Sequence, residues 1–434
     1  MAGGIWTAQN KVRPGAYVNV KSNVNVETPG SNSGVMALPL VINYGSDSIV
    51  QIDASSDLSQ FGYDLTDSAM LLVKEGLKRA TSVLVGRVGG AGVKAGVTEG
   101  STTITALYGG TRGNDINIVS TANVNITGSF DVATYVGGRL VDSQTVENIE
   151  DLITNQVVEF SGTGALTAFT VTLSGGTDKA PVANDYMDFF EKIQMYDFNT
   201  LALPVADEAI KIAGASFITR MRDDEGKKCQ LVVAGYKADH EAVINVKNGV
   251  VLSDGTVITV EQATAWVAGA SAGAGVAGSL TYSAYEGAVD VTDRYLNSDT
   301  IAALQSGEFL FTEKRGEVVV EQDINSLTTF TTDKSRDFSK NRVLRVLDDI
   351  ANDAKKSFED NYIGKTNNTV DGRELFKADR ITYFESLLAV GAITDFSADD
   401  VTIVAGDDKD SIYMETAVQP IDAMEKLYML VNVQ

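Results

Sequence analysis

Apolar positions follow helical spacing in a few stretches of this chain and strand spacing in many more. Near residues 66–80, Ala69, Val73, Leu77 and Ala80 recur at intervals of four and three, which predicts a helix capped by Thr66 or Asp67. Apolar runs on either side, Val35 to Asn43 and Ser82 to Val88, read as strands, so residues 36–96 form an α/β segment. Over about 97–178 the period changes to short Thr-, Val- and Ser-rich runs (TTITALY, DINIVST, NVNITGSF, TAFTVTLSGG) separated by Gly-rich turns. That texture predicts an inserted β-sandwich at 97–180, with one short helix near 143–154. From 181 to 332, helices at 183–196, 207–221 and 261–277 alternate with strands at 200–205 and 229–236, implying a sheet covered by helices. Asn248-Gly249, Asp254-Gly255 and Lys314-Arg315-Gly316 mark hairpin turns.

A C-terminal domain, 333–417, holds two helices. Val343, Leu347, Ile350, Ala354 and Phe358 stripe the first (340–358); Ile381, Phe384 and Leu388 stripe the second (373–390). Each end of the chain reads as an arm. In the N-terminal arm, 1–35, Ala16, Val18 and Val20 share one face of a short strand with Tyr17 on the other. In the C-terminal arm, 418–434, Leu427, Met429, Val431 and Val433 alternate with Tyr428, Leu430 and Asn432. Both faces of that run are largely apolar, which predicts a strand buried on both sides once it finds a partner. A lone short strand is unstable, so each arm needs something to pair with.

Composition narrows the function. Of 434 residues, 44% are hydrophobic and 21% charged, as in globular proteins, and no apolar run reaches the length of a membrane-spanning helix. MAGGIWTAQNKVRPG lacks the apolar core expected of a secretory signal. One cysteine, Cys229, and one histidine, His240, cannot make an internal disulfide or a zinc site. The net charge of −23 repels nucleic acid and anionic lipid. The acid is uneven, however. Residues 331–380 hold 11 Lys/Arg against 10 Asp/Glu, leaving 24 against 48 elsewhere, so this segment is either a contact face for an acidic partner or two amphipathic helices with mixed charge on their solvated sides.

Candidate chemistry is sparse. Gly273-Ala274-Gly275-Val276-Ala277-Gly278 matches GxGxxG but follows a predicted helix rather than a strand, so close helix packing explains it better than a dinucleotide. His240 lies in a polar turn, no GxSxG elbow accompanies it, and a catalytic triad is disfavoured. The acidic pairs Asp223-Asp224, Asp348-Asp349, Asp399-Asp400 and Asp407-Asp408 lack the spacing of a calcium loop and read as solvated turns.

Three blocks carry a resemblance: KNRVLRVLDDIANDAKKSFEDNYIGKTNN (340–368), DGRELFKADRITYFESLLAVGAITDF (371–396) and VQPIDAMEKLYMLVNV (418–433). Together they resemble the C-terminal domain of contractile tail sheath proteins of myovirus-type phages and phage-tail-like bacteriocins, in the branch of Gram-positive hosts and defective prophages. RPGAYVNV (13–20), YGGTRGNDINI (108–118), TAWVAGASAGAGVAGSLTY (264–282) and VVVEQDINSLTTFT (318–331) resemble other parts of the same family, in order. The resemblance implies an α+β multidomain protein: an α/β core of subtilisin-like topology without protease activity, the inserted sandwich, an α+β C-terminal domain, and extended arms. It implies no cofactor, metal or catalysis. It implies a homo-oligomer of stacked hexameric discs around a tail tube, with baseplate and tail terminator proteins as further partners. No nucleic-acid contact or direct membrane insertion is expected. Such a sheath contracts to drive the tube through a host envelope, is assembled in the bacterial cytoplasm and ends up in a virion tail or bacteriocin particle. The alternatives are the sheath of another contractile injection or secretion machine and, far behind, a dinucleotide-dependent oxidoreductase.

In that family the arms of neighbouring subunits pair, which implies inter-subunit strands at Ala16, Tyr17, Val18 and Val20 and at Leu427, Tyr428, Met429, Leu430, Val431 and Val433. The basic segment offers two sets of tube-contact candidates. Arg336, Lys340, Arg342, Arg345, Lys355 and Lys356 lie on or beside the first C-terminal helix, and Arg373, Lys377 and Arg380 along the second.

Overall fold

Seven strands join in one sheet, six of them parallel and almost wholly buried, which is how parallel sheets covered on both faces behave. In the computed structural model, which describes residues 2–4, 15–17, 34–89 and 92–433, the sheet runs 308–309, 243–246, 230–234, 200–202, 35–41, 82–88 and 50–52. Only the 50–52 strand is antiparallel to its neighbour. The helices are α1 (Leu71–Leu77), α2 (Ala183–Ile193), α3 (Glu208–Asp223), α4 (Val260–Gly273), α5 (Asn297–Gln305), α6 (Asn341–Asn361) and α7 (Val370–Ala389). Helices α1 and α4 bury Val73 and Trp266 against one face of the sheet. Helices α2 and α3 bury Phe189 and Phe217 against the other.

Segments 36–96 and 181–332, expected as separate units, share this sheet. Strand 35–41 pairs with 82–88 on one side and 200–202 on the other, at Val35–Ser82 and Thr200–Met36. Periodicity says what a segment forms, not which strand lies beside it.

The insert is a sandwich of two antiparallel sheets, 139–146/130–136/116–122/169–172 and 158–161/102–109/94–99. Its core of Ile104, Ile116, Ile118, Val132 and Val158 also takes in Tyr44, a residue of the α/β core. The buried Tyr44 hydroxyl donates to the Val157 carbonyl at 2.6 Å, so the sandwich is plugged onto the core. The helix expected near 143–154 is a strand to Val146 followed by a short 3₁₀ turn, Ile149–Asp151.

Two turn signals turned out differently. Arg315 and Gly316, at φ 58° and 86°, join strands 311–314 and 317–320, as a two-residue hairpin requires. Asn248-Gly249 instead marks where the chain leaves the large sheet for a small one (257–258, 250–252, 288–291). The buried Asn248 side chain accepts from Phe311 N and donates to Phe311 O, standing in for a strand neighbour. Helix α5 escaped the sequence reading because Ala303 is its only buried residue, leaving no apolar stripe.

In the C-terminal domain α6 and α7 pack Val346, Tyr383, Phe384 and Leu387 against hairpin 401–405/412–416 and the pair 393–394/419–420. In the N-terminal arm, strand Gly15–Tyr17 does have a partner within the chain. It pairs in parallel with Ala2–Gly4 over three residues, a length that is marginal alone. Val18 and Val20 lie outside the described residues.

Candidate functional site

The chain leaves its C-terminal domain through Gln419–Pro420, paired with Ile393–Thr394, and through Ile421 N donating to Ala392 O at 2.9 Å. Beyond that, no backbone–backbone hydrogen bond among the described residues holds residues 422–433. Leu427, Tyr428, Met429, Leu430, Val431 and Val433 are 69–94% exposed. The sequence predicted a strand there; none forms, because a strand needs a ladder to satisfy its backbone and none of the described residues offers one. Six consecutive or alternating apolar side chains in water, on a backbone with its hydrogen-bonding groups unpaired, make a segment that wants a second chain.

Inward of that run, one side chain ties the arm down. Glu425 Oε1 accepts from Thr281 Oγ1 at 2.8 Å, Oε2 accepts from Gln322 Nε2 at 2.6 Å, and Lys340 Nζ also donates to Oε2. Lys340 Nζ lies 3.6 Å from Asp422 as well. Burial alone would raise the Glu425 pKa, but these hydrogen bonds, that from Lys340 first, outweigh it and hold the carboxyl below its usual range. Sequence reasoning missed Glu425, Thr281 and Gln322. Nothing local signals a pocket assembled from three distant segments.

The basic candidates divide. Arg345 donates to Asp323 Oδ2 at 2.6 Å and Gly278 O at 2.8 Å, and Arg380, 3% exposed, pairs with Asp353 and Asp379 at 2.7 and 2.9 Å. These two, with Lys340, are spent inside the subunit and are withdrawn as tube contacts: a buried guanidinium must be paired, and the partners are here. Lys355 pairs with Glu359 at 2.6 Å and Arg373 donates to Asn368 at 2.7 Å, both partly exposed. Arg336, Arg342, Lys356 and Lys377 have no ion pair among the described residues.

The enzyme-like features resolve into structure. His240 Nδ1 accepts from Ala242 N at 3.0 Å, and Ser326 Oγ, the nearby hydroxyl, donates to the His240 carbonyl rather than facing the ring. Burial lowers the His240 pKa, and the imidazole serves as a turn acceptor. Gly273 ends α4 and the other glycines follow it, and a Cβ on Gly273 would sit 2.0 Å from Arg79 O, so the motif permits close packing. Asp348 and Asp349 are held by Arg222 and by the Tyr383 hydroxyl.

Models of four tail sheath regions match in order: domain III N-terminal region at 33–88, β-sandwich domain at 88–178, central domain at 179–326 and C-terminal domain at 333–434. The phage-like element PBSX protein XkdK of Bacillus subtilis is 41% identical over the full length of both chains. The chain belongs to the phage tail sheath family. The tail sheath protein of Clostridium phage phiCD119 is 33% identical over 44% of this chain and 52% of its own. A sheath tail protein of Desulfitobacterium hafniense superposes with a TM-score of 0.82 at 46% identity, covering 97% of this chain and 100% of that one. The contracted sheath of an anti-feeding prophage shares the fold alone, with a TM-score of 0.58 at 12% identity. The sheath subunit is therefore a mixed α+β, multidomain structural protein of a virion tail or tail-like particle, not an enzyme.

Proposed function

We propose that this subunit polymerises as stacked hexameric discs around a tail tube and contracts, without nucleotide hydrolysis, to drive the tube through a host envelope. The observation that carries this reading is the exposed, unpaired apolar run Leu427–Val433 beyond a tethered Glu425. Strand addition to a neighbouring subunit would satisfy its backbone and bury both faces, with alternating side chains setting register. Residues 16–20 of the N-terminal arm are its proposed companions. Contraction follows when a trapped extended lattice passes to one with more buried contact, many identical gains adding along the helix. The parallel, doubly covered core supports the subtilisin-like topology implied by the family, serving here as scaffold. Baseplate and tail terminator proteins would cap the two ends of the sheath.

The tube contact falls to cations still free for it, Arg336, Arg342, Lys356 and Lys377, with Lys355 and Arg373 in support. Exposed pairs contribute only ~0–1 kcal/mol each and break without leaving buried charge, which suits a grip that must release. The test of the whole reading is truncation after Lys426. The shortened chain should remain folded by circular dichroism yet form no tubes in negative-stain microscopy; long tubes would refute the arm's role.

A further inference from the structure

We infer that Thr281, Gln322 and Lys340 form a docking pocket for the chain's own Glu425, a latch that fixes where and in what direction the C-terminal arm leaves the body. The inference rests on the reading that the arm joins a neighbouring subunit.

The pocket is built from three segments far apart in sequence. Thr281 lies in the loop after α4, Gln322 just beyond strand 317–320, and Lys340 at the start of α6. Its members are preset. Asp323 N donates to Thr281 Oγ1 at 3.0 Å, which turns the hydroxyl proton toward Glu425 Oε1. Asp323 itself accepts from Arg345 at 2.6 Å, from Asn341 Nδ2 at 3.0 Å and from Leu280 N at 3.0 Å. The latch therefore sits on the joint between the α/β core and the C-terminal domain, and its geometry is inherited from that joint. On the arm side Glu425 is the main tie, joined only by the more exposed Asp422 at 3.6 Å from Lys340 Nζ, while Met424 and Leu427 are exposed to water. A single carboxylate with donors on both oxygens, between side chains that touch nothing, is a point tether rather than a packed interface.

The tether shortens the free arm. With it, residues 426–433 are loose; without it, the last backbone tie is Ile421 N to Ala392 O and the last side-chain tie the exposed Asp422–Lys340 pair, so residues 423–433 swing free. A longer loose segment loses more conformational freedom on docking and dilutes its strand over a larger volume, so pairing with a neighbour weakens.

The experiment uses the full-length chain with Glu425→Gln, which keeps the shape and removes the charge, and a Lys340→Glu/Glu425→Lys exchange. A spin label at Leu427→Cys reads arm motion in the unassembled subunit; Cys229, the one other thiol, is buried and does not compete. Critical concentration for sheath formation is measured without the label. Glu425→Gln should make the label more mobile and raise the critical concentration about tenfold, and the exchange, which also sets a new carboxylate near Asp422, should recover part of both. Because Glu425 lies on the arm, the body stays folded and the result stays readable. Unchanged label mobility, or increased mobility with an unchanged critical concentration, overturns the latch. The chain truncated after Lys426 separates this from the arm reading: its assembly into tubes would refute that reading whatever Glu425→Gln does.

Discussion

At the scale of single residues, the Arg222 guanidinium of α3 meets both carboxylate oxygens of Asp348 on α6 at 2.7 Å and also donates to Cys229 O. Burial opposes the charge on Arg222, and Asp348 more than offsets it, so the guanidinium pKa rises. Removing one partner strands the other: Arg222→Met should cost about 3–5 kcal/mol, read as a lower urea midpoint. Asp239 offers a test against pH. Its carboxylate accepts from the Thr328 and Thr329 backbone N–H groups at 2.6 and 2.9 Å, and hydrogen bonds from Thr329 and Thr328 hold its pKa well below the usual range. A group depressed in the folded state adds stability above its unfolded pKa, near 3.9, and loses it as pH falls through the folded one. Asp239→Asn should therefore lower the Tm at neutral pH, and the gap from wild type should close progressively below about pH 4. The Cys229 thiol is pushed up to about 12 by burial. A thiol reagent at pH 8 should leave it unmodified until the chain is unfolded in denaturant.

At the scale of elements, α1 crosses α4 so closely that a Cβ on Gly269 would lie 2.3 Å from Gly76 O. Gly→Ala within a helix ordinarily stabilises by roughly 0.5–1 kcal/mol. Here the added methyl meets backbone that cannot rotate away, and separating the helices would loosen the packing around the fully buried Trp266. Gly269→Ala should therefore destabilise, by about 2 kcal/mol in urea titration, and this reversal of sign diagnoses the contact. Helix α6 carries the corresponding lesson for the tube. Reversing Arg345 to Glu would set a second carboxylate beside the buried Asp323 and damage the subunit itself. Reversing only Arg336, Lys356 and Lys377 should leave the Tm within about 1 °C while weakening sheath assembly on purified tube, most clearly at low salt. Assembly equal to wild type at low salt would remove these side chains from the contact.

At the scale of the whole molecule, the sandwich is fastened to the core rather than hung from it. Arg87, buried, donates to Ile42 O, Gly45 O and, across the boundary, Gly109 O. Arg112 of the insert donates to Gly62 O at 2.8 Å with its guanidinium 4.4 Å from the Tyr63 ring centre. Replacing residues 97–178 with a Gly/Ser loop uncovers Tyr44 and removes one Arg87 acceptor. That variant should melt lower than wild type by several degrees, and Tyr44→Ser in the same background should recover solubility. If the insert lies on the outside of the sheath, as its self-contained strands suggest, the folded variant should still form tubes.

The helical stripes of α1 and α6, the strands at 35–41 and 82–88 and the sandwich texture were legible in the sequence, because each is written in local periodicity. So was the family, because its blocks recur in order. What only the tertiary structure decided was adjacency. Strands from either side of the sandwich became neighbours in one sheet, and Asn248 became a surrogate strand partner rather than a hairpin turn. Lys340, Arg345 and Arg380, indistinguishable in sequence from Lys356 and Lys377, which have no ion pair among the described residues, proved to be internal ties. The role of a charged side chain depends on which carboxylates the fold brings within about 4 Å of it, and those come from residues tens of positions or more away. The arm shows both halves at once. Its alternating side chains predict a strand that needs a partner, while the pocket that holds Glu425, built from Thr281, Gln322 and Lys340, exists only after the chain has folded.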